Sequence, residues 1–548
     1  MMRSLLFALA DFIAVLLIAV PWLWPFTWGP LAAAEPYLAG AATAAVLLAY
    51  LPWHGARRAF ALAAWGWALA ATLNGGIALL QYFNRESWGW PWINLSHTGY
   101  AFGNLRQPNL LATHLVIGLL AAWWLARTRR LPWLAAALAA LVMLAGLAAS
   151  ASRTGTVELI AVALAIAYWG WQASRPTTTG NWREAQISSR TTAALALAAV
   201  LLYLIAGWLL PRLLGDEGLS GRDLVSRWQH GESVCGSRVV LWRDVLWLIA
   251  HKPLTGWGWG DLAWAHYMAP YENDGLPRFC HILDNAHNLP LHLAVTLGVP
   301  AAAVICVLAL WLIWRGRPWR EIDPARQLAW GALLVIGMHS LVEYPLWYAP
   351  FQIAALLSLW LLWATRRGPA AAPVTLAGRW RWGLPCSALA LAALAGAGYA
   401  GWDYWRIGQL FLAEDERAPA FRNDTMGQAK RSWLFADLVR FADVTTRPAT
   451  PQNAAVMLPD ALQALHFSPE PRVIEKVIES AVLLGNDAVA IEQLARFKAA
   501  FPKEHRNWIE NNRRITQDAR RARASDMPFS ADSAAPNGDD EDDDAGSD

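Results

Sequence analysis

Charge is what this chain has least of. Only 16% of its 548 residues are Asp, Glu, Lys or Arg, against about a quarter in soluble globular chains. Hydrophobic residues make up 56%, and there are 35 tryptophans. Apolar stretches of roughly 18 residues or more recur along the sequence, which excludes a soluble enzyme and predicts an all-α polytopic membrane protein in a lipid bilayer. A net charge of +3 conceals a split. Arginines gather between apolar segments, while the chain ends in the acidic run Asp539-Asp540-Glu541-Asp542-Asp543-Asp544, read as a disordered, solvated tail over 525–548. No nucleic acid is expected as a partner.

Eleven spans are predicted, at about 5–23, 37–52, 59–80, 109–126, 131–150, 155–172, 192–210, 287–314, 327–343, 351–365 and 383–400, within a range of eleven to thirteen. The first resembles a signal peptide, with Ala32-Ala33-Ala34 as a cleavage site. Pro- and Trp-rich residues separate the two, and an uncleaved first helix fits better. The connecting loops alternate in charge. Arg57-Arg58, Arg127, Arg129, Arg130, Arg175, Arg315, Arg317, Arg320 and Arg366 fall in one set, while the loops 21–36 and 344–350 carry no Lys or Arg. By the positive-inside rule the first set is cytoplasmic. Segments 81–108, 150–155, 211–286 and 344–350, and a region from 401 to 524, are then outside. In that last region Val473, Ile474, Val477, Ile478, Val482 and Leu483 keep helical spacing. Gly485 suits a C-cap, and a second helix runs from Ala488 to Phe501 before Pro502 stops it, a hairpin resembling a tetratricopeptide unit. The domain reading is therefore 1–400 membrane-embedded with a long loop at 211–286, 401–524 helical, and 525–548 tail.

Ionisable residues at the mouths of spans are costly and mark function. His287-Asn288 opens the eighth span. Asp284 and Asn285 precede it as N-caps, and Pro290 is tolerable in a first turn. A helix N-terminus and nearby arginines both disfavour imidazolium, leaving the neutral ring that a general base requires. The plainer reading is a histidine that only holds the loop. Arg153, in Ser152-Arg153-Thr154-Gly155, lies on the side where the charge rule disfavours it, and otherwise snorkels to a headgroup. Arg238 falls in the first turn of an interrupted apolar helix, Gly236 to Ala250, suited to lie in the interface. Its guanidinium and the free backbone N–H groups would attract an anion. Two further patches are Phe102-Gly103-Asn104-Leu105-Arg106-Gln107-Pro108-Asn109, near Trp88, Trp90 and Trp92, and His339-Ser340-Leu341-Val342-Glu343-Tyr344-Pro345-Leu346-Trp347-Tyr348. Each also reads as a plain helix start or an aromatic belt. Cys306 and Cys386 fall in spans. Cys235 and Cys280 share the long outer loop, where a disulfide between them is plausible. Gly256-Trp257-Gly258-Trp259-Gly260 has no preceding strand and is no dinucleotide fingerprint, and Cys280, His281, His287 and His292 match no zinc spacing.

These segments resemble the O-antigen ligases and the PglL/PilO-type protein O-oligosaccharyltransferases of one superfamily. Its signature is His-Asn, nine residues, then Gly. His287-Asn288 and Gly298 fit it, although Ala301 stands where the pattern prefers Leu or Val. Ser152-Arg153-Thr154-Gly155, and Ser237-Arg238 with Trp242, resemble its outer-face arginine motifs. The resemblance runs from about 80 to 510, and the patches at 103–109 and 343–348 with the region after 401 resemble the protein-glycosylating branch. It implies a GT-C-like transferase of the bacterial inner membrane with its active site facing the periplasm and no metal or other cofactor. The implied donor is an undecaprenyl-diphosphate-linked oligosaccharide, and the acceptor a Ser or Thr hydroxyl of a pilin-like or other periplasmic protein. His287 would be the base, with Arg153, Arg238, Gln107, Tyr344, Glu343 and Asn288 binding substrate. Ligation to lipid A core or O-antigen polymerisation keeps the chemistry with another acceptor. A lipid-glycan transporter is a different class, but would place its polar groups near mid-membrane in inverted repeats.

Overall fold

The computed structural model describes residues 2–27, 29–173, 188–214, 237–366 and 376–525; Cys235 and the acidic tail from 526 onward lie outside the described residues. Each predicted apolar segment is helical. They form α1 (Met2–Leu23), α2 (Ala34–Tyr50), α3 (Ala56–Tyr82), α4 (Pro108–Arg127), α5 (Trp133–Ala149), α6 (Arg153–Ala173) and α7 (Ser189–Leu214). After α8 (Arg238–His251) and α9 (Leu262–Met268) come α10 (Leu289–Leu297), α11 (Val299–Gly316), α12 (Pro324–Ser340), α13 (Ala349–Ala364) and α14 (Leu376–Gly408). Among the described residues seven helices are long and apolar enough to cross a membrane, and three shorter ones are apolar. The protein is a polytopic helical membrane protein, as composition predicts. In lipid a helix satisfies its own backbone, which is why hydropathy locates these elements.

Helix α4 is the axis of the bundle, with Leu110, Leu111, Leu115, Val116 and Ile117 fully buried. Its neighbour α3 contributes small residues, so the backbones approach closely: a Cβ on Gly118 would lie 2.1 Å from that of Ala71, and one on Gly146 of α5 would lie 2.8 Å from Gly75. Small residues at such crossings replace the hydrophobic drive that lipid cannot supply.

The eighth predicted span, 287–314, is not one helix. It breaks at Gly298, whose φ is +88°. A Cβ there would sit 2.2 Å from the Leu254 carbonyl oxygen. The segment 253–258 crosses at this break. Val299 N donates to Pro253 O at 2.7 Å, Trp257 N to Val295 O at 2.9 Å, and Gly258 N to Thr296 O at 3.1 Å. The glycine-rich run thus satisfies the carbonyls that end α10. Gly298→Ala is expected to cost about 2–4 kcal/mol, combining a left-handed backbone with an overlap. Thermal unfolding of the detergent-solubilised chain checks this; an unchanged midpoint would refute the account of the break.

The other corrections are local. The N-cap of α10 is Asn288, not Asp284 or Asn285. Helix α8, predicted over Gly236 to Ala250, runs from Arg238 to His251 and is capped by Ser237, with one face packed inside the protein. Its Leu241, Val245 and Leu248 pack with Leu262, Tyr271, Leu283, Ala286 and Val295 in a core of their own. The second hairpin helix ends at Ala500 with Phe501 as its C-cap, just before Pro502 as predicted, and Pro502 then opens a further helix, Pro502–Ser525, in its first turn, where it needs no N–H. Before the predicted hairpin (Pro471–Leu483 and Asp487–Ala500) lie helices Thr425–Ala429, Ala436–Thr446 and Ala454–Phe467.

The loop core is tied down by His266, which is 3% exposed. Its Nδ1 lies 3.0 Å from the Tyr271 hydroxyl and its Nε2 3.1 Å from Phe279 O. Burial first, and the nearby Arg278 charge second, push this imidazole down to about 3. The folded value lies below the unfolded one. Protons therefore bind the unfolded state first as pH falls, and stability drains between about pH 6.5 and pH 3 at up to roughly 1.4 kcal/mol per pH unit. His266→Gln is expected to flatten that decline, read as unfolding midpoints at pH 7 and pH 5. An equal decline in both proteins would remove His266 from the acid response.

Candidate functional site

The site assembles around one carboxylate. Glu343 lies in the turn after α12, which ends at Ser340 and not at 343 as predicted, and it is 2% exposed. One of its oxygens accepts from Arg238, and the other lies 2.6 Å from His287 Nδ1. Asn109 Nδ2 approaches the first oxygen at 3.3 Å. Helices α4, α8, α10 and α12 thus bring four side chains to one point. Burial alone would push the Glu343 carboxyl up. The hydrogen bond with His287 and the charges of Arg238, His287 and His339 outweigh it and hold the group below the ordinary carboxylate range.

His287 sits one residue before the N-cap of α10 with φ +48°, a left-handed conformation that a histidine holds only when its surroundings fix it. Asn285, buried, does so by accepting the His287 amide at 2.9 Å. The preceding carbonyl, Ala286 O, accepts from Trp242 Nε1 at 3.1 Å. Trp242 stands four residues after Arg238, on the same face of α8, so one helix face holds both the loop and the carboxylate. Asn288 accepts from Leu291 N at 3.0 Å and donates to Leu341 O at 2.8 Å, fastening α10 to the Glu343 turn. The Tyr344 ring packs edge-on against His287 at 4.8 Å. Burial, then Asp284 and Glu343, push its hydroxyl up, so it stays protonated.

A carboxylate can only accept. His287 therefore presents Nδ1–H to Glu343, which leaves the Nε2 lone pair for a proton from elsewhere and stabilises the cation that results. Sequence reasoning placed arginines next to this ring; its nearest charge is a carboxylate, with the arginine beyond it.

The other predicted residues stand around this centre. Ser152 Oγ donates to Asn109 Oδ1 at 2.7 Å and accepts from Gly155 N at 3.0 Å, capping α6. It links the Arg153 turn through Asn109 to Glu343, with Arg153 exposed one residue on. Gln107 is half-buried two residues before Asn109. Cys280 is disulfide-bonded; Cys235, the expected other end, lies outside the described residues. Sequence reasoning missed a buried chain beneath the site. Thr113 Oγ1 lies 2.7 Å from His339 Nδ1 and 2.9 Å from Glu158 Oε1, all three fully buried. His339 opens one of the patches read from the sequence; Glu158, an ionisable residue inside an apolar segment, was the signal left unread.

Comparison with known proteins agrees with these motifs. Residues 138–306 match the O-antigen ligase family, residues 101–126 the protein glycosylation ligase family, and residues 327–516 the C-terminal part of the virulence factor membrane-bound polymerases. The chain is 30% identical over 319 residues to a general O-oligosaccharyltransferase of Acinetobacter baylyi, covering 54% of this chain and 49% of that protein. The match spans about half the length of that curated relative. The chain is thus similar to the O-antigen ligase and protein glycosylation ligase families over the segments that carry the motifs.

Proposed function

We propose that this protein is a glycosyltransferase that moves a preassembled oligosaccharide from undecaprenyl diphosphate to serine or threonine hydroxyls of exported proteins such as pilins. In this reading it sits in the bacterial inner membrane with the site facing the periplasm. The convergence of His287 and Arg238 on the buried Glu343 carries it. An acceptor hydroxyl attacks the anomeric carbon, its proton passes to His287 Nε2, and the bond from that carbon to the diphosphate breaks. A single displacement inverts the anomeric configuration. Diphosphate leaves with growing negative charge, which Arg238 and Arg153 meet with charge-assisted hydrogen bonds, so no metal is invoked. Glu343 orients and stabilises His287, Asn288 positions it, and Gln107 and Tyr344 position donor or acceptor.

The general O-oligosaccharyltransferase similarity and the 101–126 match favour a protein acceptor. The ligase and polymerase matches make lipid A core or another glycan the rival acceptor. Intact-mass analysis of a secreted pilin from cells with and without this chain decides. The expected result is a glycan mass that appears only with the chain. Glycan found on lipid A and never on protein would overturn the acceptor.

A further inference from the structure

Rings lead away from His287 in an unbroken path. Tyr344 packs on His287, Trp347 lies 6.4 Å from Tyr344, and Trp259 stacks on Trp347 at 6.1 Å with 14° between planes. Trp259 also packs edge-on to His292 at 5.8 Å and remains 62% exposed. It stands at the edge of a cleft of about 800 Å³ between the 259–261 turn and helices Ala436–Thr446 and Ala454–Phe467, lined also by Asp261, Asp437, Gln463 and His466.

The cleft's two carboxylates each have a partner within the protein. Asp261 lies 2.9 Å from His466 Nδ1, and Asp437 accepts from Arg440 at 2.6 Å. His466 is itself fixed, stacked on Trp264 at 4.2 Å. Such groups offer donors and acceptors that are oriented by their partners. That suits a neutral polyhydroxyl ligand better than a diphosphate or a basic peptide. A flat indole face beside fixed carboxylate, amide and imidazole groups meets both sides of a sugar ring: its C–H face and its hydroxyl edge.

We propose that this cleft holds the distal sugars of the donor oligosaccharide, with Trp259 as their stacking platform and Asp261, Asp437, Gln463 and His466 as hydroxyl partners. The assignment rests on the proposed function. It gives the C-terminal helical region a task, which is to form the far wall of a glycan-length gauge whose near end is His287.

The test uses the full chain in nanodiscs and host-extracted undecaprenyl-diphosphate oligosaccharide, either intact or trimmed by exoglycosidases to the reducing-end sugar. Donor dissociation constants are measured without an acceptor, and transfer to a pilin peptide is measured separately. Intact donor is expected to bind more tightly than trimmed donor. Trp259→Ala is expected to shrink that advantage roughly tenfold, the scale of one lost aromatic platform, and Gln463→Ala to shrink it in the same direction. Equal binding of the two donors, or an advantage untouched by both substitutions, overturns the assignment. A rise confined to the KM of the peptide would also overturn it, by making the cleft a polypeptide site. Binding that behaves as expected without any transfer to peptide would count against the proposed function and leave the cleft assigned.

Discussion

His287→Ala is expected to abolish detectable glycan transfer while leaving protein level and donor binding in place. The loss expected of a general base alone is about 10²–10⁴ in rate. The whole of it should appear in kcat, because the imidazole acts on a proton that moves only in the transition state. The substitution is structurally mild for a buried site. The His287 side chain is 19% exposed, and the loop that carries it is held by Asn285, Trp242 and Asn288, which remain. Alanine does inherit a left-handed backbone, so some stability is lost as well. Reconstituted transfer with a fluorescent pilin peptide, beside donor binding by the same preparation, separates the effects. Transfer within a few-fold of the unsubstituted protein would remove His287 as the base.

Glu343→Gln carries the second large expectation. The carboxylate takes donors from Arg238, His287 and Asn109 at once. A glutamine offers one acceptor oxygen and sets an NH₂ against one of those donors. Whichever way it turns, one buried donor loses its partner, at about 1–3 kcal/mol. If the amide faces His287, the ring takes the opposite tautomer and Nε2 no longer accepts. The same replacement of a carboxylate in Ser-His-Asp triads costs about 10⁴ in kcat, and a loss of about 10³–10⁴ is expected here. Glu343→Asp, which keeps the charge, is expected to recover part of it. The pH response separates the two roles of the residue. A carboxyl held below the ordinary value of 4.5 contributes stability that is fully present above 4.5 and lost as pH falls through the depressed value. Glu343→Gln should lack that decline. Activity unaffected by the amide would reduce Glu343 to a structural anchor.

Much of the fold was legible because lipid leaves the backbone few choices. Ten of the eleven predicted apolar segments are single helices, nine of them with ends within a few residues of those predicted; the last, predicted over 383–400, runs from Leu376 to Gly408. The break at Gly298 was visible only as a letter in a motif. The sign that a new helix starts there, Pro300 in its first turn, was in the sequence and went unread. The tight crossing of Gly256 under α10 was beyond reach, since nothing local says that a Cβ there would meet Thr296 backbone at 2.5 Å. His287, Arg238 and Glu343 were each singled out by being ionisable at a membrane surface. Their convergence was not, because the carboxylate lies 56 residues from the histidine and 105 from the arginine. That distance is also why the neighbour of His287 was misread. Local sequence offers a helix N-terminus and arginines, whereas the fold supplies a carboxylate from another helix.

Whether imidazole and carboxylate act as one unit is decided by a double-mutant cycle on kcat. Groups that serve a single proton transfer are strongly non-additive. With His287 already replaced by alanine, adding Glu343→Gln should lower the residual rate by no more than a few-fold. If the two losses multiply instead, the carboxylate does its work independently of the histidine, and the mechanism drawn from their contact is wrong.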